Sequence, residues 1–189
     1  MIQARLSNAA TRLHQLLNKA NIQHKIIGGY AIGVLGGPRE SKDIDCIAST
    51  SKQALAQLLN GKSGFQYVTQ SPNDYVAFLW SDRADRGNAV LVEVFVEQFE
   101  GASHSSEGRP SRYGTTDVVT RKLFVLRQLS ASGVVSLLDP VYIFEGKLRA
   151  AATRGKFHNS AGLRWPVSCF ADKLTAKRSE CNLTTWALP

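Results

Sequence analysis

The chain has 189 residues, 43% hydrophobic and 20% charged, with a formal net charge of +8; this suits one soluble globular domain with a sizeable core. No apolar run approaches the roughly 18 residues of a membrane span, and no long apolar segment marks a signal peptide at the N-terminus. Three cysteines (Cys46, Cys169, Cys181) without CxxC spacing argue against a zinc site or disulfide framework and for a reducing, cytoplasmic compartment, while the basic balance suits polyanions such as nucleoside triphosphates or RNA.

From the N-terminus, Leu6, Ala10, Leu13, Leu17 and Ala20 recur at helical spacing. They predict an amphipathic helix over residues 3–20, stopped at Asn21. His24 to Ile27 read as a short strand, Gly28-Gly29 as a turn, and residues 30–35 as a short helix ended by Gly36-Gly37-Pro38. Asp43 to Ala48 read as the next strand. Ser49, Thr50 and Ser51 offer caps for a helix to about Asn60, with Ala54, Leu55, Leu58 and Leu59 apolar.

Residues 65–69, 75–81 and 89–99 have strand composition, the last richest in Val and Phe, and residues 82–88 make a polar hairpin turn. Residues 100–116 lack periodicity and read as a mobile loop. Asp139-Pro140 is a helix start, since Asp caps and Pro suits the first helical position. That helix is expected to reach about Arg154, burying Val141, Phe144, Leu148 and Ala151 or Ala152. The order predicts an α/β (α+β) fold, a small mixed sheet with helices mainly on one face. Residues 1–154 form its domain, and residues 155–189, with poor periodicity, form a tail packed on it.

In a strand, side chains at i and i+2 share a face, so Asp43 and Asp45 point one way and Ile44 and Cys46 the other. Two adjacent carboxylates repel, and a divalent cation carrying a triphosphate removes that cost. An apolar residue, Gly28-Gly29 and then Asp43-Ile44-Asp45 on a strand resembles the signature of the nucleotidyltransferase fold, the superfamily that includes DNA polymerase beta. With Pro38-Arg39-Glu40-Ser41-Lys42 before the aspartates, the stretch looks most like the AbiEii and minimal nucleotidyltransferase branch. The resemblance is strong over residues 22–48 and extends to about residue 154.

The resemblance implies a nucleotidyltransferase-like fold and Mg²⁺- or Mn²⁺-dependent transfer of an NMP from an NTP to a hydroxyl of RNA, a protein or a small molecule. Asp43 and Asp45 would be catalytic metal ligands. The third carboxylate falls on a later strand; Glu93 is the candidate, where many relatives carry Asp, and Glu97 shares its face. Taken alone, Glu93 equally suits a solvated sheet face. Gly28 and Gly29 would let the backbone approach phosphate oxygens at a helix N-terminus. Arg39 and Ser41 would orient phosphate or fix the loop, while Lys42 equally suits the surface. Lys147 would meet the triphosphate, or else lie on a solvated helix face where Glu145 and Arg149 pair.

His14, His24, His104 and His158 lack ligand spacing, and His14 and His24 read as structural. Trp80, Trp165 and Trp186 read as packing residues. Two alternatives stand beside the enzyme: a catalytically inactive member of the fold that binds nucleotide or a partner, and a basic RNA-binding module.

Overall fold

The computed structural model describes residues 2–38, 40–69, 75–96, 118–124, 132–144, 146–147, 165, 167–172 and 175. Helix α1 (Ile2–Lys19) buries Leu6, Ala9, Ala10, Leu13 and Leu17 completely. Ala20, expected on that stripe, is exposed. The helix has already ended, because Asn21 turns left-handed with φ 53° and the Ile22 amide closes on the Leu17 carbonyl at 2.9 Å.

Next come β1 (His24–Ile27), α2 (Gly28–Val34), β2 (Asp43–Ala48), α3 (Lys52–Leu59), β3 (Phe65–Val68), β4 (Tyr75–Trp80) and β5 (Val90–Val96), then β6 (Val118–Phe124) and β7 (Ser132–Leu138). Helix α2 starts at Gly28, so the Gly-Gly pair is its first turn and not a separate turn before it. The cap of α3 is Ser51, whose hydroxyl accepts from the Ala54 amide at 3.1 Å. The strands form one seven-stranded mixed sheet in the order β3-β4-β5-β2-β1-β7-β6. The β2–β5 and β1–β7 pairs are parallel and the other four antiparallel. Strands β6 and β7 were not expected. In β7, Val134-Val135 and Leu137-Leu138 stand in pairs, so the period-two alternation of a half-buried strand is lost.

The register sorts side chains cleanly. One face carries Ile26, Ile44, Cys46, Val92, Val94, Phe78 and Leu137, each fully buried. Helix α1 covers it, contacting β1, β2, β5 and β7, and α3 packs on β3 and β4. The opposite face carries the carboxylates.

The chain divides into two compact units, Met1–Leu138 and Asp139–Pro189. The second opens with the expected cap: Pro140 is the first helical residue and the Asp139 carboxylate accepts from the Val141 amide at 2.9 Å; Val141 is buried as expected, but Phe144 is only half-buried and Ile143 is buried instead. Its Trp165 and Phe170 rings meet edge to face, 5.5 Å apart. The expected loop at 100–116, helical positions 148–154, Glu97, His104, His158 and Trp186 lie outside the described residues. No helix among the described residues is long and apolar enough to cross a membrane.

Candidate functional site

Parallel pairing of β2 with β5 sets Asp45 directly beside Glu93 and Asp43 beside Leu91. Asp43, Asp45 and Glu93 therefore share the face away from the core, each half-buried. On its other side Glu93 neighbours Ala77 of β4. Beyond it the face turns apolar, with the Tyr75 and Phe95 rings 5.2 Å apart and Leu79 exposed.

The first turn of α2 and the loop after the helix converge on this face. Gly28 has φ +71°, and a Cβ there would fall on the Asp45 carboxylate. A Cβ on Gly29 would come within 2.9 Å of the Ser41 hydroxyl oxygen. Both positions thus need glycine because the site's own side chains fill the space. Ser41 is buried, and its Oγ donates to Asp43 Oδ1 at 2.9 Å. Its carbonyl accepts from Gln3 Nε2 at 2.9 Å, so the start of α1 pins the loop that leads into β2. The hydroxyl expected to orient phosphate is engaged with a carboxylate.

Oxygen donors on this face suit a hard cation. Among the described residues, however, no three His, Cys, Asp or Glu side chains stand close enough to form a metal cluster. Residues two apart on a strand are about 7 Å apart, and Asp43 is turned toward Ser41. Mg²⁺ is usually held by one or two carboxylates plus water and substrate phosphate, not by an all-protein cage. The Asp45–Glu93 pair, with Asp43 alongside, fits that mode.

Cys46, Tyr30, His14 and His24 belong to the buried side. Burial pushes the Cys46 thiol up, which leaves it neutral and unreactive. Burial also raises Tyr30 to about 12, and its hydroxyl donates to Ser7 at 3.1 Å, tying α2 to α1. His24 Nδ1 donates to the Ile22 carbonyl at 2.8 Å, so its Nε2 accepts from His14 Nδ1 at 2.8 Å. Burial lowers His14, and lowers His24 to about 4. This neutral pair is structural, as its sequence setting suggests.

Arg39 lies outside the described residues, and Lys147 belongs to the second unit. Two residues on this side of the molecule escaped the sequence reading. Gln3 gives no signal there. Lys25, only 2% exposed, could have been found from parity alone: it alternates with Ile26 and so shares the carboxylate face.

No protein-family model and no curated protein sequence matches the chain. Solved structures do. An antigenic nucleotidyltransferase-like protein from Paracoccidioides brasiliensis matches with TM-score 0.58 and 22% identity over 86% of this chain and 74% of that one. The antibiotic-resistance factor ANT(2'')-Ia matches with TM-score 0.58 and 16% identity over 95% and 92%. The lincosamide antibiotic adenylyltransferase LnuA, bound to lincomycin, matches with TM-score 0.51 and 10% identity over 83% and 93%. The mixed α/β fold expected from sequence is therefore nucleotidyltransferase-like.

Proposed function

We propose that the protein is a nucleotidyltransferase that moves an NMP from an NTP to a hydroxyl acceptor. The observation that carries this reading is the shared sheet face of Asp43, Asp45 and Glu93, with Asp45 and Glu93 side by side across β2 and β5. Asp43 and Asp45 would hold a divalent cation, Mg²⁺ or Mn²⁺, together with the triphosphate. When bound, such a cation neutralises phosphate charge and acidifies the attacking hydroxyl. Glu93, beside Asp45, would hold the cation on the attacking side and help take up the proton of the acceptor hydroxyl. Gly28 and Gly29 keep Asp45 and Ser41 close to the start of α2, and Ser41 fixes the Asp43 carboxylate. Lys147 and Arg39 are candidates for contacting the triphosphate.

Two of the fold neighbours are named for antibiotics, which supports a small-molecule acceptor ahead of RNA or protein. Incubation with α-labelled NTPs and Mg²⁺ tests the reading, with small hydroxylated compounds, RNA and protein as separate acceptor arms. Label in one arm, lost in Asp45→Asn and Glu93→Gln, is expected. Label that survives both changes would remove the carboxylates from the mechanism. The second reading, a nucleotide-binding protein without transfer, is favoured by the absence of a ready three-ligand cluster among the described residues. It predicts Mg²⁺-dependent NTP binding with no labelled product.

A further inference from the structure

Gln3 and Ser7 are four residues apart on α1 and so lie on one edge of the helix. Each bonds to one end of the segment that joins β1 to β2. Ser7 Oγ accepts from the hydroxyl of Tyr30, which follows Gly28-Gly29, at 3.1 Å. Gln3 Nε2 donates to the carbonyl of Ser41, two residues before Asp43, at 2.9 Å. The two bonds differ in what lies beyond them. The first ends on a ring of the buried side. The second fixes the backbone of a residue whose own hydroxyl lies against Gly29 and donates to Asp43 Oδ1 at 2.9 Å. A serine hydroxyl turns to suit its surroundings, so its direction depends on where its backbone is held.

Asp43 is also the carboxylate that the sheet holds least. Asp45 is in register with Ile27 on one side and with Glu93 on the other. The β1 register ends at that Ile27–Asp45 pair, so Asp43, at the first position of β2, is paired on the β5 side only. Ser41 stands in the loop before the ladder begins and is 7% exposed. A bond from a distant helix does for it what strand pairing does for Asp45.

We propose that Gln3 is a positioning residue of the site: through the backbone and hydroxyl of Ser41 it sets the orientation of the Asp43 carboxylate and so strengthens the hold of the acidic face on a divalent cation. The proposal rests on the cation role given above to that face, but not on transfer.

Mn²⁺ binding to the full-length protein without nucleotide, measured by calorimetry, tests it. Gln3→Met keeps a long side chain suited to a helix and removes the donor, and Mn²⁺ affinity is expected to fall on the order of tenfold. Ser41→Ala removes the hydroxyl itself and is expected to cost at least as much. In the Ser41→Ala background, Gln3→Met is expected to change affinity less than about twofold, because the route to Asp43 is already cut. Tyr30→Phe removes the other bond to α1. It is expected to lower the folding constant in urea about as much as Gln3→Met does, roughly fivefold, and to leave Mn²⁺ affinity unchanged.

The proposal is overturned if Gln3→Met binds Mn²⁺ as the wild type does, or if its loss is the same with and without the Ser41 hydroxyl. It is overturned too if Tyr30→Phe weakens binding equally, since Gln3 would then only hold α1 in place. A wild type that binds no Mn²⁺ rejects the cation site and the proposal with it. A wild type that shows the expected losses but transfers no label would reject the enzymatic reading and leave the role of Gln3 standing.

Discussion

The two faces of strand β2 do opposite things with the same backbone. Ile44, Cys46 and Ala48 on one side are fully buried, in register with Val92, Val94 and Val96 of β5. Asp43 and Asp45 on the other side are half-buried and meet Leu91 and Glu93. The apolar face gains free energy from burial, roughly 1.5–3 kcal/mol for each large aliphatic side chain. The acidic face gains nothing from gathering like charges, and has to be held in place by the rest of the fold. On the proposed function, stability and activity are therefore separable by parity, one residue apart along the chain.

The sharpest break of that comparison is Asp45→Asn against Ile44→Ala. Asp45→Asn is expected to leave a folded protein and to lower initial rates of label transfer on the order of a thousandfold. Ile44→Ala is expected to cost about 2–5 kcal/mol in urea unfolding, because it opens a cavity at a fully buried position. Its transfer rate per folded molecule should stay near wild type. If Ile44→Ala loses activity while fully folded, the two faces are not independent.

A smaller effect is expected where the faces are joined by backbone. Gly28 and Gly61 have almost the same positive φ, +71° and +73°, but a Cβ at Gly61 meets nothing within 4 Å while one at Gly28 strikes Asp45. Gly61→Ala is expected to cost about 1 kcal/mol of backbone strain and no activity. Gly28→Ala adds displacement of the carboxylate, so it is expected to cost about 1–2 kcal/mol more and to suppress transfer. Equal stability losses with full activity in both would show that Asp45 has room to move away without consequence.

Much of this division could be read from the sequence because alternation is local. Asp43-Ile44-Asp45-Cys46 reveals its two faces by residue type, and the bounds of β1 and β2 follow directly. The position of Glu93 beside Asp45 needed the parallel crossover, which the family pattern supplied and alternation alone did not. Strands β6 and β7 were missed because paired apolar residues do not alternate. Gln3 was invisible for a different reason: its bond to Ser41 spans 38 residues, and nothing near Gln3 in the chain records it. Lys25 was legible by parity, but a single lysine in a short strand reads as an edge or surface residue until its burial is known.

The last expected effect concerns pH and the polar spot on the buried side. His24 points with Ile26 toward the core and accepts a hydrogen bond from His14 of α1. Burial first, and then the neighbouring imidazole of His14, hold His24 down to about 4, though its bond to the Ile22 carbonyl works the other way. The unfolded chain protonates near the ordinary value of 6.5 and the folded one does not. Stability from this pair is therefore complete above about pH 6.5 and is lost as pH falls toward the folded value. Between about pH 7.5 and pH 5.5 the His24 contribution should fall by about 1.4 kcal/mol, and His14, lowered in the same direction, should add to the loss. Replacing His24 with Gln should flatten that slope in urea titrations run across the range. A slope unchanged by the replacement would show that the His14–His24 pair does not carry the pH dependence.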